Sequence, residues 1–255
     1  MTQKHETIEG IILREQKLLA TAEDRYGEAF VFTMEANDLL NNFLQSVDGT
    51  RFIFTAMLSQ IRKHVLLAIF STVRLHRIQA LMDLRQVLEA GVSAAYAIIH
   101  IDPEHFAKQD ERGFLDTPKK LAQKRYKWLK EHYQDASDSI EGQKKIINNS
   151  VAHANIVYAM QNFKARFDEG KFETPFFDTE DDYHIKGDLW MIGDIAWGLM
   201  DLFYGVNQEV NAITFSPEFL DRMKSLRKKD EALKNELTNS DRFKAAMKLR
   251  NESEN

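Results

Sequence analysis

The chain has 255 residues and a formal charge of -5 at pH 7, and it contains 4 prolines, 11 glycines and no cysteine. The missing cysteine excludes disulfides, zinc–thiolate sites and thiol nucleophiles. The net negative charge argues against a generally basic nucleic-acid-binding protein and leaves room for local basic patches. Because all-β and doubly wound folds need many turn residues, the scarcity of proline and glycine predicts an all-α protein.

Two long helical stretches make up the first part of the chain. Apolar residues recur with the 3.6-residue period over residues 7–46, which predicts one long helix that is relaxed near Gly27. Residues 47–50 contain a glycine that ends this helix and a threonine that caps the next. The second stretch, residues 51–100, is too long for a compact domain of this size, so we expect a break within residues 71–76.

The part of that stretch from residue 75 to 101 is apolar on almost all sides, which is typical of a central core helix. The remaining predicted elements follow the turn signals in chain order: a loop over 102–117, helices over 118–133 and 137–163, a short non-helical excursion over 168–185 with an extended segment at 171–177, helices over 187–212 and 216–237, and a last short helix from Ser240.

The domain organisation predicted from these elements is simple. No repeat and no linker-like composition break is visible, so we expect a single elongated helical bundle over residues 1–213 and a charged C-terminal helical arm over residues 214–255. The arm is too polar for a core and is expected to be solvated or to dock on a partner.

The sequence also favours a cytoplasmic protein. Its N-terminus has no apolar signal region. The apolar runs over residues 65–73 and 189–206 are either too short to span a bilayer or interrupted by aspartate. We therefore expect no membrane insertion.

Polar residues at core spacing are the main functional signal. Arg85, Glu89 and Tyr96 share a stripe of the central helix with apolar residues, and Asn149 and His153 share a stripe of a later helix. Since these side chains share stripes with apolar residues, they are expected to face inward. Because an unpaired buried charge is costly, they are then expected to pair with one another. Two interpretations stay open: a structural clamp that fixes helix register, and a functional or ligand-binding site.

These residues carry a resemblance to a known group. The segment Arg85-Gln-Val-Leu-Glu89, followed by Tyr96 and then by Asn149-Ser-Val-Ala-His153, resembles bacterial helical proteins of the HEPN-like group, named for higher-eukaryote and prokaryote nucleotide-binding domains. The resemblance covers about residues 50–165 and implies a HEPN-like helical core. Active members of the group carry an Arg-x4–6-His motif on one helix and cleave RNA without a metal ion, usually across a homodimer.

This chain departs from that motif, because positions 146–148 before His153 are Ile, Ile and Asn. The resemblance then implies either that Arg85 supplies the missing cation from the neighbouring helix or that the chain is a non-catalytic member. We favour the second: a helical interaction or assembly protein, a homo-oligomer or the partner of another protein in a bacterial complex. A link to defence rests on the resemblance alone.

Two alternatives accompany this interpretation. In a metal-independent ribonuclease, His153 is the general acid–base, Arg85 stabilises the phosphorane and Asn149 positions the phosphate. In a nucleotide or small-molecule sensor, the same cluster forms a pocket.

A basic helix is the second signal. Its cations are interleaved with Tyr126 and Trp128, and because cations neutralise phosphates while aromatic rings stack on bases, this helix is a candidate RNA or DNA contact. The alternative is a solvated face whose apolar residues dock on the core. The candidate nucleic-acid contacts are Lys119, Lys120, Lys124, Arg125, Lys127 and Lys130.

No motif for a metal ion or a cofactor is present in the sequence. The acidic segment 178–184 lacks the ligand spacing of a calcium loop and is interpreted as a charged loop. A glycine-rich phosphate loop, a Gly-x-Ser-x-Gly elbow and a His-Glu-x-x-His zinc motif are also missing. We therefore expect no metal ion and no cofactor.

Overall fold

The computed structural model describes residues 7–151, 163–166, 171–173 and 175–253. Helices take up most of this part of the chain, so the prediction of an all-α fold is confirmed. The α-helices of the described residues are, in chain order, α1 (Ile8–Ala20), α2 (Ala22–Tyr26), α3 (Glu28–Asn42), α4 (Phe52–Val73), α5 (Arg77–Ile99), α6 (Lys119–His132), α7 (Gln134–Val151), α8 (Asp182–Val210), α9 (Phe219–Asn239) and α10 (Asp241–Ser253).

Short antiparallel ladders accompany the helices. Within the described residues they pair β1 (Leu44–Val47) with β6 (Ile213–Phe215), β2 (Lys108–Gln109) with β3 (Leu115–Asp116), and β4 (Lys164–Arg166) with β5 (Lys171–Glu173). Asn207 secures the first ladder, because its amide donates to Ile213 O at 2.9 Å and accepts from Ile213 N at 2.8 Å. The β1–β6 ladder thus fastens the chain after α3 to the end of α8.

The single helix predicted over residues 7–46 is wrong. The chain is interrupted at Thr21 and at Gly27, where φ is 52°, and residues 44–47 form a strand. Because L-residues rarely adopt positive φ, Gly27 lets the chain change direction between α2 and α3. The break predicted within residues 71–76 is confirmed, and Leu75 inside it has a φ of 64°.

Helix α8 lies at the centre of the bundle and packs against α2, α3, α4, α5 and α9. Two glycines allow the neighbouring helices to come close. A Cβ built on Gly193 of α8 would lie 2.4 Å from Cε1 of Phe32 in α3, and one built on Gly91 of α5 would lie 2.4 Å from Cδ2 of Leu199 in α8. Phe32 is fully buried. Its ring has no space to move away, because protein interiors are close-packed.

Helix α9 is part of the core and not a solvated arm. Its buried positions recur with the helical period: Phe219, Met223, Leu226, Asp230 and Leu233. Asp230 accepts a hydrogen bond from Trp190 Nε1 of α8 at 2.7 Å, and Trp197 Nε1 of α8 donates to Met223 O at 3.0 Å. The prediction of a solvated arm is therefore wrong for α9, because its polar composition conceals one narrow apolar stripe.

Two segments, Gly49–Val73 and Asp182–Val210, are long and apolar enough to cross a membrane by length and composition. Of their most apolar windows, 39% and 56% of the residues are buried inside the fold. Core helices meet the same length and composition criteria, and both segments contribute to the bundle described above.

We expect Gly193→Ala to lower the free energy of unfolding by about 1–3 kcal/mol, the usual cost of overpacking a filled core, because the new methyl group overlaps the Phe32 ring. Gly198→Ala is the matched control in the same helix, since a Cβ there meets no described atom within 4 Å. The control should gain about 0.5–1 kcal/mol from helix propensity. Urea unfolding followed by circular dichroism measures both, and equal values would contradict the close approach.

Candidate functional site

Arg85 and Glu89 meet at the surface and not in the core. Arg85 Nε donates to Glu89 Oε1 at 3.2 Å, one turn along α5, and 41% of each side chain is exposed. Ile78 and Met82, on the same stripe, are exposed as well. The prediction that this stripe faces inward is wrong for residues 78–89, because α4 and α8 cover the other sides of α5 there, and it is confirmed for Val92 and Tyr96, which are buried.

Helix α7 shows a similar offset. Its buried residues include Ile140 and Ile147, whereas Ile146 and Asn149, on the predicted inward stripe, are exposed. The inward orientation predicted for Asn149 is therefore wrong. Residue 147 lies about 100° around the helix from residue 146, so a shift of one residue exchanges the covered side for the open one. His153 lies outside the residues that the structure describes.

Lys144 of α7 connects the Arg85–Glu89 pair to helix α6. Its Nζ lies 3.6 Å from Glu89 Oε1 and donates to the Tyr126 hydroxyl at 2.7 Å. The same Nζ lies 4.3 Å from the centre of the Tyr126 ring, within cation–π range. Glu89 thus bridges two cations, and the contact joins α5, α6 and α7 on one face of the protein.

An open cleft of about 350 Å³ lies beside this cluster, between α6 and α7. We call it the α6–α7 cleft. Asn148 Oδ1 is buried and has no hydrogen-bond partner among the described residues. The cleft therefore combines an aromatic ring with cationic and amide groups. Its lining residues are Tyr126, Glu141, Lys144, Lys145, Asn148 and Asn149.

Helix α6 presents its lysines on two sides. Lys119 and Lys130 lie two turns before and one turn after Tyr126, so helical spacing places them on the same side of α6 as Tyr126. The other predicted lysine contacts lie further around the helix: Lys120, Lys124 and Lys127. Arg125 is only 7% exposed, and its Nη1 donates to His105 O at 3.2 Å. The prediction that Arg125 contacts nucleic acid from the surface is wrong, because Arg125 is a buried structural cation.

Tyr96 belongs to a different cluster. Its hydroxyl lies 3.0 Å from His105 Nδ1, and its ring stacks on His100 with 4.0 Å between centroids. Trp128 of α6 contacts the same ring edge-on at 5.3 Å. Burial lowers the pKa of His100, and neighbouring cations lower it further. The sequence predicted that Tyr96 accompanies the ion pair of α5, but the hydroxyl and the ring of Tyr96 contact His105, His100 and Trp128 instead.

The sequence interpretation missed several residues of the cleft. Lys144 and Lys145 lie too far before His153 to fit the Arg-x4–6-His spacing, and no other sequence pattern indicated Asn148. A signal is nevertheless present, because two lysines are followed four residues later, about one helical turn, by two asparagines, at residues 144–145 and 148–149. Each pair places a cation and an amide on the same side of α7.

Among the described residues, no group of three or more His, Asp or Glu side chains is placed to hold a metal ion. Comparisons with protein-family models, with curated proteins and with solved structures return no match to this chain. The HEPN-like resemblance therefore stays a prediction.

We expect Arg85→Ala to change the free energy of unfolding by less than about 1 kcal/mol, because exposed ion pairs contribute little. Asp188→Ala provides the contrast, since Asp188 is buried and accepts hydrogen bonds from Arg77 at 2.7 and 3.1 Å. Breaking that pair should cost about 3 kcal/mol. Urea unfolding measures both variants. If Arg85→Ala lowers the free energy of unfolding as much as Asp188→Ala does, the interpretation of Arg85 and Glu89 as a buried structural clamp would be supported.

Proposed function

We propose that this chain is a non-catalytic helical interaction protein that binds single-stranded RNA along the α6–α7 cleft. The observation that carries the proposal is an open cleft in which the exposed Lys145 lies beside Tyr126, while Lys144 covers one face of the Tyr126 ring and leaves the other face for a base. Lysines neutralise backbone phosphates, and unpaired bases stack on aromatic rings. An open cleft suits a strand whose bases are accessible, as they are in single-stranded RNA.

Local charge supports a polyanionic partner. Cations outnumber carboxylates on this face, although the whole chain has a charge of -5. A local excess of this kind attracts a polyanion at close range. The amides of Asn148 and Asn149 add both donors and acceptors, which base edges require. The charged groups at the cleft and at the adjoining ion pair are Arg85, Lys144 and Lys145 against Glu89 and Glu141, and helical spacing adds Lys119 and Lys130 of α6 and Asp138 of α7 to the same face.

The state of Arg85 favours a binding role over a catalytic one. Its guanidinium is engaged by Glu89, and Glu89 also attracts Lys144. A cation that stabilises a phosphorane must be directed at the phosphate. The homodimer, the protein partner in a bacterial complex and the link to defence remain predictions of the HEPN-like resemblance.

A metal-independent ribonuclease is the second candidate. The observation that favours it is that Arg85, through Glu89 and Lys144, belongs to the same face as the cleft that Asn149 lines. His153 follows Asn149 by four residues in the sequence. In this enzyme His153 would exchange protons with the RNA 2′-hydroxyl and the leaving oxygen.

We expect the double variant Lys144→Glu/Lys145→Glu to lower the affinity for fluorescein-labelled single-stranded RNA by about tenfold or more. Loss of two phosphate contacts should also reduce the slope of log affinity against log salt by about 1.4, because each contact to a single strand releases about 0.7 counterion. Fluorescence anisotropy across a salt series measures both quantities.

The matched control is Lys224→Glu/Lys228→Glu, which makes the same charge change on exposed residues of α9. Equal losses from the two double variants would assign binding to net charge and contradict the cleft. The absence of RNA binding by the parent chain would contradict it as well. RNA cleavage by the parent in EDTA, abolished by His153→Ala, would replace the binding role with the ribonuclease.

A further inference from the structure

A second cavity, of about 250 Å³, lies between the junction of α4 and α5 and the first turns of α8. It is more enclosed than the α6–α7 cleft. Thr72 and Leu75 contribute from the junction, and Ile185 contributes from α8. We call it the α5–α8 cavity. It shares no lining residue with the α6–α7 cleft, so the two sites can be tested by separate variants.

Contacts between distant parts of the sequence build its wall. Arg77 Nε and Nη2 donate to Asp188 Oδ2 and Oδ1 at 2.7 and 3.1 Å. The backbone N of Arg77 donates to Asp178 Oδ2 at 2.7 Å, and Asp178 N donates to Leu75 O at 2.9 Å. Because all these hydrogen bonds are made within the protein, the wall of the cavity does not depend on a ligand.

Two features beside the cavity are costly to the fold. Leu75 has a φ of 64°, and a bulky L-residue in the left-handed region costs about 1–3 kcal/mol. Thr72 is only 3% exposed, and its Oγ1 has no hydrogen-bond partner among the described residues. Strain and an unpaired polar atom at one place are typical of binding sites.

The wall carries an excess of negative charge. Its carboxylates are those of Asp178, Asp181 and Asp188. The opposing guanidiniums are those of Arg77, which pairs with Asp188, and of Arg242, which contacts both carboxylate oxygens of Asp181, at 2.7 and 2.6 Å, from the edge of the site. Partial burial and the charge of Arg77 lower the pKa of His184. Burial raises the pKa of Asp188, while the two hydrogen bonds from Arg77 favour its ionised form.

We propose that the α5–α8 cavity binds a small organic cation, a primary alkylammonium, with its charged head at Asp178 and its alkyl chain against Leu75 and Ile185. Because Arg77 pairs with Asp188 and Arg242 pairs with Asp181, the charge of Asp178 is the one that the ligand neutralises. A buried cation is stable only where it is paired, and its N–H groups also suit the free oxygen lone pairs of carboxylates. The cavity volume lies just below the range of about 300–1,000 Å³ for drug-sized ligands, which favours a small molecule.

Three probes with the same number of carbon atoms test the charge preference on the full chain. Saturation-transfer NMR compares n-butylammonium, n-butanol and butyrate. We expect saturable binding of n-butylammonium, weaker binding of n-butanol and none of butyrate. Butyrate binding as tight as that of n-butylammonium, or no saturable binding of n-butylammonium, would overturn the proposal.

Asp178→Asn tests the location. The asparagine retains an acceptor for Arg77 N and removes the charge, so the affinity for n-butylammonium should fall about tenfold or more, as expected for a hydrogen bond to a charged group. Asp221→Asn on α9, where the aspartate side chain is 89% exposed, makes the same charge change and should leave the affinity unaltered. Equal affinities for both variants and the parent would overturn the location.

A measurement on the parent chain keeps the test independent of variant folding. In amide NMR spectra, n-butylammonium should shift the backbone signals of Arg77, Asp178 and His184. Shifts confined to other residues would overturn the proposal.

RNA affinity measured on Asp178→Asn separates the two functions, because this variant should bind RNA as the parent does.

Discussion

The close packing of α3 and α5 on α8 is the constraint on which the rest of the structure depends. Gly193 meets the ring of Phe32, and Gly91 meets Leu199, at distances that leave no room for a Cβ. Helices α4 and α8 therefore cover most of α5, and α6 and α7 pack on what remains of it and on each other. The polar sides of α6 and α7 consequently stay outside the core, where they form the α6–α7 cleft.

Much of the fold follows from the sequence, because helix period and turn chemistry are local properties. The bounds of α6 and the break between α4 and α5 were predictable from Pro118 and from the excessive length of residues 51–100. The prediction of a solvated arm failed for α9, because the average composition of this helix does not reveal the apolar stripe that it buries against α3 and α8. The strand at residues 44–47 was also missed, because its partner lies near residue 214 and only tertiary pairing makes it a strand.

The site was only partly predictable, for a different reason. Periodicity tells which residues share a side of a helix, and it does not tell which side a neighbouring helix covers. Arg85 and Glu89 do pair as predicted, but on the open side of α5. The α5–α8 cavity could not be foreseen at all, because Arg77 and Asp188 lie 111 positions apart and no local pattern joins them.

The most direct measurement of RNA binding in the α6–α7 cleft is ultraviolet crosslinking of a uridine-rich single strand to the full chain, followed by peptide mapping. A strand whose bases stack on Tyr126 predicts adducts on that residue and on the α7 peptide that contains Lys145. Adducts confined to α9, or spread over exposed lysines of every helix at similar yield, would contradict binding in the cleft.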